Sequence, residues 1–159
     1  MTTPMQQLYQ QVILDQSRAR TGNAELLGDA VSAPHGYSHQ VNPTCGDEIE
    51  LELEIDDEDH VTVRWTGDGC SISMASASVL SELTADNSIA DMLRIESAFH
   101  ELMHSRGTME GDEGILGDAA AFAGVSKFPG RIKCALLSWM AFKDALTQAQ
   151  AAREEKDNA

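Results

Sequence analysis

The stretch Thr44–Ile55, TCGDEIELELEI, combines the clearest strand pattern of the chain with a thiol and a carboxylate placed close together. From residue 48 to residue 55, glutamates alternate with apolar side chains, the period expected of a half-buried β-strand. Just before it, Cys45 and Asp47 are separated only by Gly46. Residues i and i+2 of an extended or turning chain can face the same way, so one ion could contact both. The stretch therefore predicts a strand that begins beside a candidate metal-ligating pair.

The residues that follow predict the second strand of a hairpin. Asp56–Asp59 supplies turn residues, and apolar side chains then alternate again at Val61, Val63 and Trp65. Such a hairpin has one apolar face and one acidic face. We expect the acidic face of Glu48–Glu54 to be solvated, and neither a metal site nor a docking surface is needed to explain it.

Each end of this hairpin is marked by a cysteine. Gly67–Gly69 closes the second strand and Cys70 follows directly, while Cys45 precedes the first strand. The two ends of an antiparallel pair are neighbours, so the two thiols should share one edge. Cys134 follows Arg131 near the predicted start of the last helix, where unpaired amides and the guanidinium would favour a thiolate.

Two interpretations of the cysteines remain open from the residues alone. Each thiol could be a small apolar side chain in the core. Together with Asp47, however, the three thiols would complete a four-ligand set for zinc. The joint pattern favours a shared metal or sulfur site.

The rest of the chain predicts helices around this small sheet in one domain. A chain of 159 residues is long enough to bury a core without disulfides. We expect the domain to span residues 1–152 and residues 153–159 to form a frayed tail. The first predicted elements are an amphipathic helix at 4–18 and an edge strand near 35–41. The apolar stripe of that helix comprises Met5, Leu8, Tyr9, Val12 and Ile13. Four more helices are predicted: one after Cys70 capped by Ser71 or Ser73, one from Ser88 to about His104, an Ala-rich one at 115–125, and a last one from about Arg131.

The composition of the chain disfavours several classes of partner. A net charge of −15 disfavours both nucleic acid and an anionic membrane surface, and a basic docking face on a partner would suit it. No apolar run approaches the ~20 residues that a membrane span needs. Met1–Gln11 lacks the features of a secretion signal, and three cysteines are too few for a disulfide framework. We therefore expect a cytoplasmic protein with reduced thiols.

A competing motif lies in the predicted third helix. His100 to His104 fits the zinc-protease pattern H-E-x-x-H, with Glu101 as the base and Gly107 and Glu110 extending it. Glu110 stands where the longer pattern has its third histidine, and a protease would leave the cysteines unexplained. An amphipathic helix whose histidines face water is the simpler interpretation.

Three blocks of sequence, taken together, resemble a known family. They are Thr44–Asp47 (TCGD), Gly67–Ser76 (GDGCSISMAS) and Gly124–Cys134 (GVSKFPGRIKC). The chain resembles the NifU/IscU-like proteins of iron–sulfur cluster assembly, most closely the SufU branch. The resemblance implies a single α+β domain of the SufE/NifU-like fold, in which a small three-stranded antiparallel sheet packs against helices.

Two features favour the SufU branch over the cluster scaffolds. Lys133 stands where scaffolds of the IscU kind carry a histidine, and residues 104–124 resemble the SufU insertion. The resemblance implies a zinc-dependent sulfurtransferase. It would accept persulfide sulfur from a pyridoxal-phosphate-dependent cysteine desulfurase of the SufS type and pass it to an acceptor such as a SufBCD-type scaffold. The alternative is an iron–sulfur cluster assembly scaffold that binds a cluster instead of zinc.

The resemblance also implies roles for individual residues. Zinc would be held by Cys45, Asp47, Cys70 and Cys134. Cys45 would be the catalytic sulfur acceptor, released when the desulfurase offers a histidine to the metal, and Arg131 would act beside it.

Overall fold

A three-stranded antiparallel sheet organises the computed structural model, which describes residues 3–158. Its strands are β1 (His35–Asn42), β2 (Asp47–Ile55) and β3 (Val61–Asp68), in the spatial order β1-β2-β3. The β2–β3 hairpin and the edge strand β1 are confirmed. In the β2–β3 pair Leu51 lies opposite Trp65, so two fully buried side chains lie next to each other.

Helices cover one face of the sheet, as expected for the α+β fold. α5 packs against β1 and β2, and α2 packs against β3. The core also includes the stacked rings of Phe99 and Trp139, which join two of the helices and have centroids 4.4 Å apart. The helices are α1 (Pro4–Ala19), α2 (Ser71–Asp86), α3 (Ile89–Met103), α4 (Glu113–Leu116) and α5 (Pro129–Asp157), with 3-10 segments at Gly28–Ala30 and Gly117–Lys127. Among the described residues, no helix combines the length and apolar character that crossing a bilayer requires.

The helices differ from the predictions in three places. α5 begins at Pro129 instead of Arg131, because proline suits the first position of a helix. It also continues to Asp157, past the predicted domain end at Ala152, through a run rich in good helix formers. The 1–152 boundary and the fraying of the tail remain predictions, and Ala159 lies outside the described residues. The Ala-rich stretch is α4 followed by the second 3-10 segment.

The apolar stripe of α1 is only partly covered. Tyr9 and Ile13 are half-buried against the core, whereas Met5 and Leu8 are exposed. Helical periodicity located the stripe correctly, but it could not show how much of the stripe has a packing partner.

The acidic face of β2 is not uniformly solvated, which corrects the sequence interpretation. Glu52 is only 2 % exposed. Its carboxylate accepts hydrogen bonds from the backbone N–H groups of Leu27 (3.0 Å) and Gly28 (2.8 Å) and from Arg64 (2.8 Å). Burial opposes ionisation of Glu52, but these donors outweigh it and lower the pKa of this carboxyl group. The loop that covers Glu52 is distant in sequence, so strand periodicity could not reveal it.

Replacing Glu52 with alanine should lower the free energy of unfolding by about 3 kcal/mol, because it leaves the backbone amides of Leu27 and Gly28 without their acceptor. Arg64 keeps its 2.9 Å contact with Glu54. Glu48→Ala is the matched control on the same strand. Glu48 is exposed and should change stability by less than ~0.5 kcal/mol. Chemical denaturation of both variants checks this, and equal effects would contradict it. Because the pKa of Glu52 is lowered in the folded state, its contribution should be present above about pH 4.5 and lost as the pH falls below that value.

Candidate metal centre

The candidate centre lies at the edge where β2 begins and β3 ends. Glu48 lies opposite Asp68 in the β2–β3 pair, which places Asp47 beside the residues that follow β3. The backbone N–H of Cys70 donates a 2.9 Å hydrogen bond to Oδ1 of Asp47. The hairpin therefore brings Cys70 to Asp47, as its pairing predicts.

Cys45 lies in the tight turn that joins β1 to β2. The turn is closed by a 2.8 Å hydrogen bond from the N–H of Gly46 to the carbonyl oxygen of Asn42. Gly46 has φ +74°, a left-handed conformation that glycine adopts without strain. The turn leaves the thiol of Cys45 exposed, whereas the carboxylate of Asp47, at the start of β2, is buried.

Cys134 reaches the same place from α5. Its Sγ lies 3.5 Å from Sγ of Cys45, and the side-chain amide of Asn42 lies 3.7 Å from it. The ligand atoms of Cys45, Asp47 and Cys134 all lie within 4.8 Å of one another. Cys70 is not in that mutual set, but its Sγ lies 3.7 Å from Oδ2 of Asp47.

These separations suit one tetrahedral ion. Zn–S bonds of about 2.3 Å place two sulfur ligands about 3.8 Å apart. The 3.5 Å separation of the Cys45 and Cys134 sulfurs and the 3.7 Å contact between Cys70 and Asp47 are close to such an edge. Three thiols and one carboxylate form a donor set of the kind that zinc takes. The residues present therefore fit a zinc site. The Cys70 side chain would have to move the most to join it, because Cys70 lies outside the group of three whose ligand atoms are mutually close.

Burial divides the four residues. Asp47 and Cys134 are fully buried, Cys70 is half-buried, and Cys45 is exposed. Only Cys45 of the three thiols is therefore freely open to a reactant from outside.

The ionisation of the cluster differs from what the sequence suggested for Cys134. Burial raises the pKa of the Cys134 thiol, and Asp47 and Cys45 raise it further. Cys134 is the sixth residue of α5, beyond the unpaired amides of the first turn, so the helix start does not offset this effect. Burial also acts against the Asp47 carboxylate, but hydrogen bonds from Cys134, Ser73 and the Cys70 amide outweigh it and lower its pKa. Binding of a metal would have to displace the thiol protons.

Arg131 lies beside the centre on the first turn of α5. It is fully exposed, and the nearby thiols of Cys70 and Cys134 raise its pKa, with a smaller contribution from Cys45. The guanidinium is therefore a positive charge facing the thiols from the solvent side.

Arg131 also borders an apolar groove of about 560 Å³ between α1 and the 3-10 segment Gly117–Lys127. Exposed Phe128 and Lys127 lie on the same side. The groove is lined mainly by apolar side chains, which include Tyr9, Ile13, Leu14, Ile72 and Val125. The Arg131 side of the candidate centre is thus next to an open apolar surface.

Two neighbours of Asp47 were not identified as site residues from the sequence. Ser73 donates a 2.7 Å hydrogen bond from its buried hydroxyl to Oδ2 of Asp47. A Cβ on Gly69 would lie 2.5 Å from Oδ1 of Asp47, so only glycine leaves room for the carboxylate. Ser73 was interpreted as a possible helix cap, but Cys70 occupies the N-cap position and Ser71 is exposed. The sequence feature that could have identified Ser73 as a site residue is its position three residues after Cys70, a candidate ligand.

The H-E-x-x-H motif does not build a comparable centre. His100 and His104 are exposed at the end of α3 with their rings stacked 4.2 Å apart. Nδ1 of His104 lies 2.9 Å from the carbonyl oxygen of His100. Within residues 3–158, no third histidine, cysteine or carboxylate joins them in a compact ligand group.

Fold and site together define a small α+β protein with a cysteine- and aspartate-lined candidate metal centre at one sheet edge. The family model described as NifU-like N terminal domain matches residues 8–135, and the chain belongs to this family. The chain is 38 % identical over 144 residues to the zinc-dependent sulfurtransferase SufU of Bacillus subtilis, covering 90 % of this chain and 92 % of that protein.

Other relatives carry scaffold names. The chain is 34 % identical over 151 residues to the iron–sulfur cluster assembly scaffold protein IscU of Streptococcus pyogenes, covering 94 % of this chain and 89 % of that protein. A crystal structure from Fervidobacterium islandicum, described as an iron–sulfur cluster assembly scaffold protein for the SUF system, matches with a TM-score of 0.72 and 29 % identity, covering 85 % and 93 % of the two chains. The fold and the place in iron–sulfur cluster assembly agree with the resemblance drawn from the sequence.

Proposed function

We propose that this protein is a zinc-dependent sulfurtransferase of iron–sulfur cluster assembly. It accepts persulfide sulfur from a pyridoxal-phosphate-dependent cysteine desulfurase of the SufS type and delivers it to an acceptor such as a SufBCD-type scaffold, in the cytoplasm. The proposal is supported by the similarity to the B. subtilis sulfurtransferase along nearly the whole chain. It is also supported by a donor set that fits zinc.

One observation carries the sulfur-transfer assignment. Cys45 is exposed at the end of a cluster whose other thiols are buried or half-buried. A closed four-ligand zinc site is usually structural. A site with one exposed thiol can instead release that thiol to an incoming reactant, while the remaining three residues, Asp47, Cys70 and Cys134, hold the ion.

Zinc bound by these four residues would supply positive charge that keeps the thiols deprotonated at neutral pH. The transfer itself is a thiol–disulfide-type exchange at Cys45. The Cys45 thiolate attacks the terminal sulfur of the donor persulfide, and a new S–S bond forms on Cys45. The original S–S bond breaks, and the donor cysteine leaves as a thiolate. Electrons balance without any external oxidant or reductant.

Arg131 is proposed to stabilise the negative charge that passes between the two thiolates in this exchange. Arg131→Ala should slow sulfur uptake roughly fivefold at low salt, and the deficit should shrink towards about 1 M salt, where the Debye length is only about 3 Å. Lys133→Ala is the matched control, an exposed cation two residues further along α5. Zinc content should be unchanged in both variants. A deficit equal in the two variants, or one that does not depend on salt, would contradict the role.

The cluster scaffold is the second candidate, because relatives named IscU scaffold match over most of the chain. The two functions share ligands, so metal content and desulfurase stimulation separate them. Zinc-loaded protein should accelerate alanine release by the desulfurase, and zinc-stripped protein should not. Purified protein that contains iron and sulfide, has a visible absorption band and gives no stimulation would overturn the sulfurtransferase in favour of the scaffold.

A further inference from the structure

We propose that Ser73 is the positioning residue that orients the Asp47 carboxylate for metal binding, an inference that rests on the proposed metal site. Ser73 is the third residue of α2, and its side chain is 3 % exposed. It is therefore fixed by packing, and its hydroxyl is directed at the carboxylate of Asp47.

The Ser73 hydroxyl contacts three of the four proposed ligand residues. Its Oγ lies 2.7 Å from Oδ2 of Asp47, 3.2 Å from the backbone carbonyl oxygen of Cys134, and 3.7 Å from Sγ of Cys70. A hydroxyl has one proton to donate. The shortest contact and the negative charge both direct that proton to Asp47, because charge-assisted hydrogen bonds are the stronger ones.

Asp47 depends on this hydrogen bond because its carboxylate is buried away from water. Oδ1 is held by the Cys70 amide at 2.9 Å, and Gly69 packs against the same oxygen. Ser73 is the hydroxyl donor to Oδ2 among the described residues. The thiols of Cys70 and Cys134 also hydrogen-bond to Asp47, but a bound metal would displace their protons, which leaves the Cys70 amide and the Ser73 hydroxyl to fix the rotation of the carboxylate about its Cβ–Cγ bond. A carboxylate oxygen has two lone pairs, so Oδ2 can keep this hydrogen bond and still present a lone pair to an ion.

A purely structural serine would have a different effect, and the same helix provides one. Ser76 lies one turn further along α2, is fully buried, and donates a 2.6 Å hydrogen bond to the carbonyl oxygen of Ala135 on α5. It also accepts a 2.9 Å hydrogen bond from Trp139. Ser76 therefore joins the same two helices as Ser73 but contacts none of the proposed ligands in the described chain.

The test is the zinc affinity of purified full-length variants, measured by competition with a chromophoric chelator. Ser73→Ala should lower the affinity by about tenfold or more, the range seen when a residue that orients a metal ligand is lost. Ser76→Ala should destabilise the fold without moving the affinity more than about twofold, a margin well below that range. The charge-transfer and d–d absorption of the cobalt-substituted protein should shift in Ser73→Ala and not in Ser76→Ala, because only the former disturbs a ligand.

A second pair of variants separates the hydroxyl from packing. Ser73→Thr and Ser73→Val have the same shape and differ in the hydroxyl, so any steric cost is shared. The threonine variant should bind zinc at least about tenfold more tightly than the valine variant. Equal affinities for this pair, or Ser76→Ala and Ser73→Ala losing affinity equally, would overturn the proposal. Because the readout is binding, failure of sulfur transfer with intact zinc binding would count against the proposed function and leave the role of Ser73 standing.

Discussion

Replacing Cys45 with serine is expected to abolish stimulation of the cysteine desulfurase and to leave the fold intact. Cys45 is the exposed thiol of the cluster and lies in a turn, so its removal takes away the proposed sulfur acceptor without opening a cavity. Serine has a hydroxyl that cannot carry a persulfide under these conditions. Alanine release by the desulfurase, measured with and without the variant, should fall to the rate of the desulfurase alone.

The matched control for Cys45→Ser is Thr44→Ala, an exposed neighbour in the same turn. It should keep full stimulation. Circular dichroism should show both variants folded to the same extent. Undiminished stimulation by Cys45→Ser would contradict the assignment of Cys45 as acceptor.

Replacing Asp47 with alanine is expected to reduce zinc affinity by more than about 100-fold, beyond the usual cost of losing an outer-shell partner. The change removes a fully buried proposed ligand and leaves the Cys70 amide without its acceptor, while the Ser73 hydroxyl can turn to the carbonyl oxygen of Cys134 at 3.2 Å. That unsatisfied amide should also lower the stability of the metal-free protein by about 1–3 kcal/mol. Chelator competition and chemical denaturation measure the two effects separately.

Asp68→Ala is the control for Asp47→Ala. Asp68 lies at the same sheet edge, opposite Glu48, but its carboxylate is exposed, and its hydrogen bond within the described part of the chain comes from the amide of Gly69. It should bind zinc like the unaltered protein. Full zinc affinity together with unchanged sulfur uptake in Asp47→Ala would contradict the role given to this carboxylate.

The local patterns of the sequence were enough to predict the elements that position the site. Alternation from Glu48 to Ile55 and again from Val61 to Trp65 predicted the hairpin, and antiparallel pairing then placed Cys45 and Cys70 at one edge. These inferences succeed because a hairpin is a local structure whose register follows from strand periodicity. The arrival of Cys134 at the same edge depends on how α5 packs. The joint pattern of the three cysteines favoured it, and the family resemblance implied it.

Features that depend on contacts distant in sequence could not be predicted in this way. Burial of Glu52 requires residues 24–30 to fold across the sheet, and no strand pattern contains that information. The raised pKa of Cys134 follows from burial beside Asp47, and the helix-start effect expected from sequence does not apply because Cys134 lies beyond the first turn of α5. Ser73 looked like a helix cap because helix starts favour serine, but tertiary packing directs its hydroxyl to Asp47.

The most direct test of the central claim is mass spectrometry of the zinc-loaded protein after reaction with cysteine and a SufS-type desulfurase, with peptides assigned after alkylation. The account predicts one added sulfur atom on Cys45 and no added sulfur on Cys70 or Cys134. A persulfide on Cys134 alone, or no persulfide in a protein that has taken up iron and sulfide instead, would contradict it.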